Sequence, residues 1–240
     1  MTASPVKGRG GSFTAVSVVP VKDGHAVHLD GRPLKTPQGT AFVLPSEALA
    51  RAIAAEWQAE APRPPALDGM PLTRVAGTAL DRLTQQREAV EAQLLGYAET
   101  ELLCHRAEAP AELAARQQRI WQPLLDWVAV RHDAMLATTT GIAAVQQPGR
   151  SLAALSGALS AMDTWRLAAL SIAVAASGSL VIGLALADGR IDPASAFEAA
   201  ELDATWQIET WGEDSEATER RAWVRADLEL AKRFLDLLTD

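Results

Sequence analysis

One cysteine, one tyrosine and four histidines in 240 residues leave little material for thiol, disulfide or metal chemistry. Cys104 has no second thiol to pair with, and the first fifteen residues carry no apolar stretch of the kind that forms a secretory signal. The expected setting is therefore a reducing compartment. His25 and His28 lie three apart on a predicted strand and would face opposite sides. Cys104 and His105 are neighbours in a predicted helix, where side chains diverge by about 100 degrees, too far to share a proton easily. Cys104 reads as a core residue, and no metal site is expected.

Phosphate chemistry lacks its motifs as well. The chain contains no Gly-Lys dipeptide and hence no P-loop, while Gly8, Gly10 and Gly11 neither follow a strand nor open a helix, as a dinucleotide loop requires. There is no Gly-x-Ser-x-Gly elbow. A formal charge of −8 without a cluster of Lys and Arg argues against general nucleic-acid binding. These absences shift the balance from an enzyme toward a binding protein, with no catalytic residue and no cofactor expected.

Apolar residues are plentiful, at 48% of the chain, which is enough for a substantial core; Ala and Leu dominate them, which favours helices. Residues 1–12 show no periodicity and read as a tail. From Phe13 to Leu44, Asp23-Gly24, Asp30-Gly31 and Pro37-Gln38-Gly39 separate short runs rich in Val, Leu and Thr, which predicts four short antiparallel strands. Pro45-Ser46-Glu47 then supplies a capping hydroxyl and a first-turn acid. Leu49, Ile53 and Trp57 follow at helical spacing, to about Ala59. Pro62-Arg63-Pro64-Pro65 ends that helix, and Met70-Pro71 opens another with Pro at its first position. The expected architecture is α+β: a tail over 1–12, a β-rich N-terminal domain with one helix over 13–69, and an all-helical domain over 70–240.

Helices in the second part are expected over 71–104, 110–133, 151–161, 164–187, 193–211 and 214–238. Pro123 should kink the second of these or begin a new helix, and Thr138–Thr140 with Gly141 should interrupt helix. Leu167–Ala187 runs for 21 residues without a charge, long enough to cross a bilayer. Its serines, glycines and alanines, and its lack of aromatic and basic anchors on both sides, favour a central helix buried in a helical core.

Glu198, Glu201, Asp203, Glu209, Glu213, Asp214, Glu216 and Glu219 form an acidic stretch with no Lys or Arg among them, and Trp206 and Trp211 lie within it. At 100 degrees per residue, Phe197, Ala200, Ala204, Ile208 and Trp211 share a stripe, which marks Trp211 as core and sets Trp206 apart. An ordinary solvated face, or a neighbouring helix over Trp206, accounts for this as well as an interface does. Read as an interface, the candidate contact residues are Trp206, Glu209, Glu213 and Asp214.

Five segments carry a family resemblance: LDGRPLKTPQG at 29–39, MPLTRVAGTALDRL at 70–83, YAETELLCHRA at 97–107, SGSLVIGLAL at 177–186 and WQIETWGED at 206–214. In that order they resemble the F-type ATP synthase assembly chaperones that bind the newly made alpha subunit of the catalytic head, a family shared by mitochondria and alpha-proteobacteria. The first two are the most specific; Gly77 stands where the family pattern leads one to expect Asn. The resemblance implies a small β-rich N-terminal domain, a helical C-terminal domain and no chemistry. It also implies a client, the alpha subunit, held by a surface that would otherwise pair with the beta subunit. No nucleic acid and no stable membrane insertion are expected, and a monomer is favoured. Without an Arg-rich presequence the chain reads as bacterial and cytoplasmic, the mitochondrial matrix being the organellar equivalent. The alternatives are a small-molecule enzyme with a site between the two domains and a membrane-associated adaptor acting through 167–187.

The buried-helix and membrane readings of 167–187 separate in a fractionation experiment. A core helix predicts recovery in the soluble fraction without detergent, whereas carbonate-resistant recovery with membranes would overturn it.

Overall fold

The computed structural model describes residues 13–61, 67–141, 143–212 and 215–239; the expected tail over 1–12 and the Pro62–Pro65 break lie outside them. Contacts divide the chain into two units, Met1–Arg87 with Arg233–Asp240, and Glu88–Lys232. The sequence punctuation suggests a division at 69/70 instead, and the reason for the difference lies in how the segment after residue 70 is held.

In the first unit the strands are β1 (Val16–Val21), β2 (Gly24–Leu29), β3 (Arg32–Pro33) and β4 (Val43–Leu44), and β2 pairs antiparallel with each of the other three. Asp30 and Gly31 both have positive φ, 47° and 76°, which makes a two-residue turn that matches strand twist. Gly24 has φ 143°, and a Cβ there would lie 2.2 Å from the Leu44 carbonyl oxygen, so glycine lets β4 approach the hairpin. Helix α1 (Glu47–Glu60) is capped by Ser46, whose Oγ accepts from the Leu49 N–H at 3.1 Å. It packs on β1 and β2 and buries Leu49, Ile53 and Trp57, each worth about 1.5–3 kcal/mol of apolar burial.

Helix α2 (Pro71–Thr78) has no cap of its own, because Met70 occupies the N-cap position. Glu56 of α1 replaces it: Oε1 accepts from the Leu72 N–H at 2.8 Å, and Oε2 from the Thr73 N–H and Oγ1 at 2.9 and 2.7 Å. A π-helical turn, Ala79–Leu83, follows, and its buried Asp81 accepts from Thr36 Oγ1 at 2.7 Å and Thr40 Oγ1 at 3.0 Å. These bonds bind residues 71–83 to α1 and to the loop before β4 and carry the first unit beyond residue 69. Helix α3 (Thr84–Glu99) then bends at Gln86, with φ −129° and ψ 30°, next to the division at 87/88. The single helix expected over 71–104 is thus α2, a π turn and a bent α3, followed by a short 3-10 turn at Leu102–Cys104.

The second unit continues with β5 (His105–Arg106), α4 (Ala111–His132), β6 (Thr139–Thr140), α5 (Gly149–Ser160), α6 (Thr164–Ser177), α7 (Leu180–Ala187), α8 (Pro193–Ala200), α9 (Leu202–Trp211) and α10 (Ser215–Asp236), whose last residues return to the first unit. The α+β order of sheet then helices holds. One feature departs from an all-helical second part: β5 and β6 form a parallel ladder of two residue pairs, His105 with Thr139 and Arg106 with Thr140. Thr138–Thr140 does interrupt helix, as β-branching favours. Helix α4 runs through Pro123 without dividing; the proline faces solvent, where water can satisfy the carbonyl it leaves unpaired.

Residues 167–187 form two helices where one was expected. Gly178 adopts φ 68° and ends α6 with its N–H on the Val174 carbonyl at 2.9 Å, and Ser179 caps α7 by accepting from Ile182 N–H at 3.0 Å. Every residue of α7 is buried, with α4, α6 and α8 packed around it. Among the described residues no helix is long and apolar enough to cross a membrane. The stretch expected as one helix over 193–211 also breaks, at Glu201 (φ −103°, ψ 18°) between α8 and α9.

Glu101 sets the position of α7. Its Oε1 accepts from Ser179 Oγ at 2.5 Å and Leu103 N–H at 3.3 Å, and its Oε2 from the N–H groups of Leu180 and Val181 at 3.0 and 3.2 Å. Burial raises its carboxyl from 4.5 to about 7, against the pull of these four donors. A folded-state value above the unfolded one means that the group's contribution is full below 4.5 and is lost as pH rises to about 7. Glu101→Gln should remove that component of the pH dependence of Tm. It should also destabilise the protein by about 2 kcal/mol, because an amide NH2 cannot accept the bonds this site offers. In the first unit, Trp57→Arg should abolish cooperative unfolding by burying an unpaired charge. Wild-type Tm in either variant would remove the corresponding assignment.

Candidate functional site

The second unit contains an open cleft of about 330 Å³ lined by β5, the loop after it, the start of α4, Gly141 and one face of α9. Its walls are assembled through a short chain of hydrogen bonds. Gln117 of α4 accepts from the Ala107 N–H through Oε1 at 2.8 Å and donates from Nε2 to Asp203 Oδ1 of α9 at 2.8 Å. Gln117 is itself buried, so an unmet amide there would be costly. The Gly141 N–H donates to the Arg106 carbonyl at 2.9 Å and closes the ladder of β5 and β6 against the cleft.

Trp206 and Trp211 both line this cleft from α9. Trp206 is half-buried and Trp211 is 77% exposed. The expected assignment of Trp211 to the core is therefore corrected. One helical phase carried from Phe197 to Trp211 puts the two on a single stripe, but the break at Glu201 resets that phase. Phe197, before the break, is buried.

The other candidates fare differently. Glu209 lies on α9 and forms an ion pair with Arg116 Nη1 of α4 at 2.7 Å, which ties α9 to α4. Glu213 and Asp214 lie outside the described residues. Two further acids of the stretch also have partners within the unit: Asp203 with Gln117, and buried Glu201 with both Arg220 nitrogens, at 3.0 and 2.7 Å, and with Arg221 at 3.3 Å. Part of the acidic face is thus spent on the fold.

Arg106 lines the cleft and was not among the candidates. Its guanidinium lies 5.3 Å from the centre of the Trp121 ring, and Nη2 donates to Gln122 Oε1 at 3.3 Å. Trp121 is fixed in turn by its own Nε1, which donates to the Ala199 carbonyl at 2.8 Å. Nε and Nη1 of Arg106 are buried without an acceptor, and burial lowers the pKa of the group from its ordinary value. Cys104, next in the chain but one, is fully buried, and burial pushes its thiol up to about 12, so it is inert as a nucleophile.

The comparisons with known proteins agree on one family. A family model described as ATP12 chaperone protein matches residues 12–129. The crystal structure of Atp12 from Paracoccus denitrificans superposes with a TM-score of 0.91 at 39% identity, covering 96% of this chain and 99% of that one. The chain belongs to the ATP12 chaperone family. The mitochondrial protein atp12 of Schizosaccharomyces pombe is 26% identical over 204 residues, 80% of this chain and 70% of its own length. The mitochondrial ATP12 of Saccharomyces cerevisiae is 23% identical over 230 residues, 78% and 71% of the two chains. As an ATP12-family protein this is an assembly chaperone of the F-type ATPase and not an enzyme.

Proposed function

We propose that this ATP12-family chaperone holds the unassembled alpha subunit of the F-type ATP synthase head and uses the α9 side of the cleft to do so. The observation that carries the reading is the pair of indoles, Trp206 and Trp211, set on an open cleft with one of them 77% exposed. Trp is a favoured anchor of protein interfaces and an unusual occupant of bare surface. Glu213 and Asp214, next in the chain, supply charge for orientation and association rate, an effect that weakens as salt screens them.

The mechanism is reversible capping. A free alpha subunit exposes apolar surface meant for the beta subunit; occupation of that surface keeps it from aggregating, and the beta subunit displaces the chaperone when it arrives. No nucleotide cycle is required for this. A bacterial cytoplasmic setting, with the mitochondrial matrix as its organellar equivalent, accords with relatives from Paracoccus and from yeast mitochondria.

The test is suppression of aggregation of purified alpha subunit. Trp206→Ala and Glu213→Lys should keep the wild-type Tm. Trp206→Ala should lose about 2 kcal/mol of binding, roughly thirtyfold in Kd, and Glu213→Lys should lower the association rate at low salt. Equal protection by both variants and the wild type would remove the site. Failure of the wild type to protect alpha subunit would remove the client.

A further inference from the structure

Among the half-buried arginines of the second unit, Arg116, Arg166 and Arg221 each have an acid within ion-pair distance, and Arg106 is the exception. Arg116 has Glu209, Arg131 and Arg166 have Asp188, Arg150 has Asp133, and Arg220 and Arg221 have Glu201. The chain has 30 acids, yet among the described residues none lies within ion-pair distance of the Arg106 guanidinium, which has only the Trp121 ring and a long bond to Gln122. Asp203, the carboxylate that shares the cleft with it, is held by Gln117. A half-buried cation without a counter-charge is unfavourable, and folding alone does not require it: a shorter apolar residue could cover Trp121 without the desolvation.

We propose that the cleft receives a side-chain carboxylate, Asp or Glu, from an apolar segment of the client, and that the Arg106 guanidinium is the group that binds it between the indoles of α9. The planar fork of arginine matches a carboxylate, and the bond strengthens where water is excluded. Trp206 and Trp211 supply that exclusion and take the apolar neighbours of the acid. The incoming carboxylate displaces the Gln122 carbonyl oxygen from Nη2, and the Gln122 amide keeps its other bond, from Nε2 to Asp126 Oδ1 at 2.8 Å. The inference rests on the cleft as a client-binding site and adds the chemistry of what enters it.

The probes are three blocked tripeptides, acetyl-Leu-Glu-Leu-amide and its Gln and Lys counterparts, titrated into the intact wild-type chain while the indole N–H signals of Trp206 and Trp211 are followed by NMR. The Glu peptide should shift both signals and bind about tenfold more tightly than the Gln peptide, with the Lys peptide weaker still. Arg106→Lys, which retains the charge and loses the fork, should reduce the preference for Glu over Gln to about threefold or less at unchanged Tm. Equal binding of the Glu and Gln peptides would overturn the proposal, and so would a preference for Lys, which would assign the cleft to the Asp203 carboxylate. The wild-type peptide series stands even if the variant folds poorly. Purified alpha subunit separates the two readings. If the wild type protects it but the peptides are not discriminated, the carboxylate inference alone fails; if the peptides are discriminated but alpha subunit is not protected, the client is wrong and the chemistry of the cleft stands.

Discussion

The Glu101 carboxylate is wholly buried and accepts four hydrogen bonds, two of them from the first N–H groups of α7 and one from the serine that caps that helix. Much of the second unit follows from this. Helix α7 has no polar face: each of its eight residues is buried, so no polar group along its length distinguishes one rotation or depth from another. Hydrophobic burial is non-directional, and an all-apolar helix in an apolar core needs a polar end to fix its register. Glu101 provides that end from the segment leading to β5 and α4, and α4, α6 and α8 then pack around a helix whose position is already set. Close contact depends on it too: a Cβ at Gly183 would lie 2.5 Å from Val174 Cγ2 of α6, an approach that tolerates little slippage.

The same device recurs. Glu56 caps α2 from another helix, Asp81 in the π turn gathers Thr36 and Thr40 from the loop before β4, and Glu201 at the break between α8 and α9 gathers Arg220 and Arg221 from α10. In each case an acid satisfies donors or cations from a segment remote in sequence. This gives the family segments a physical meaning. LDGRPLKTPQG and MPLTRVAGTALDRL are joined by Thr36 and Asp81, and YAETELLCHRA and SGSLVIGLAL are joined by Glu101 and Ser179. Removing one partner of such a pair leaves a buried polar group unsatisfied.

The local part of the fold was legible in the sequence. Asp30-Gly31, Ser46 and the spacing of Leu49, Ile53 and Trp57 are signals whose cause lies within a few residues, and the strands and α1 form where those signals point. The helix ends inside 71–104, 164–187 and 193–211 are less legible, although Gly178-Ser179 is a local stop-and-start signal within an otherwise apolar run. The breaks at Ala79–Leu83 and Glu201 are different in kind. Their acids are explained by Thr36 and Arg220, which lie 45 and 19 residues away, and no local pattern announces such a partner.

That difference also accounts for the site. A helical phase drawn through Glu201 placed Trp211 in the core and directed attention to acids as the binding chemistry, whereas the break turns Trp211 out beside Trp206 and draws Glu201, Asp203 and Glu209 toward partners of their own. Glu201 and Glu209 have little left to offer a client, since a carboxylate with an arginine partner presents a dipole and not a full charge. The exposed indole has no such alternative. What distinguishes this cleft is therefore the combination of two indoles on one wall with a half-buried cation that has no counter-ion among the described residues, and no local sequence pattern announces that combination.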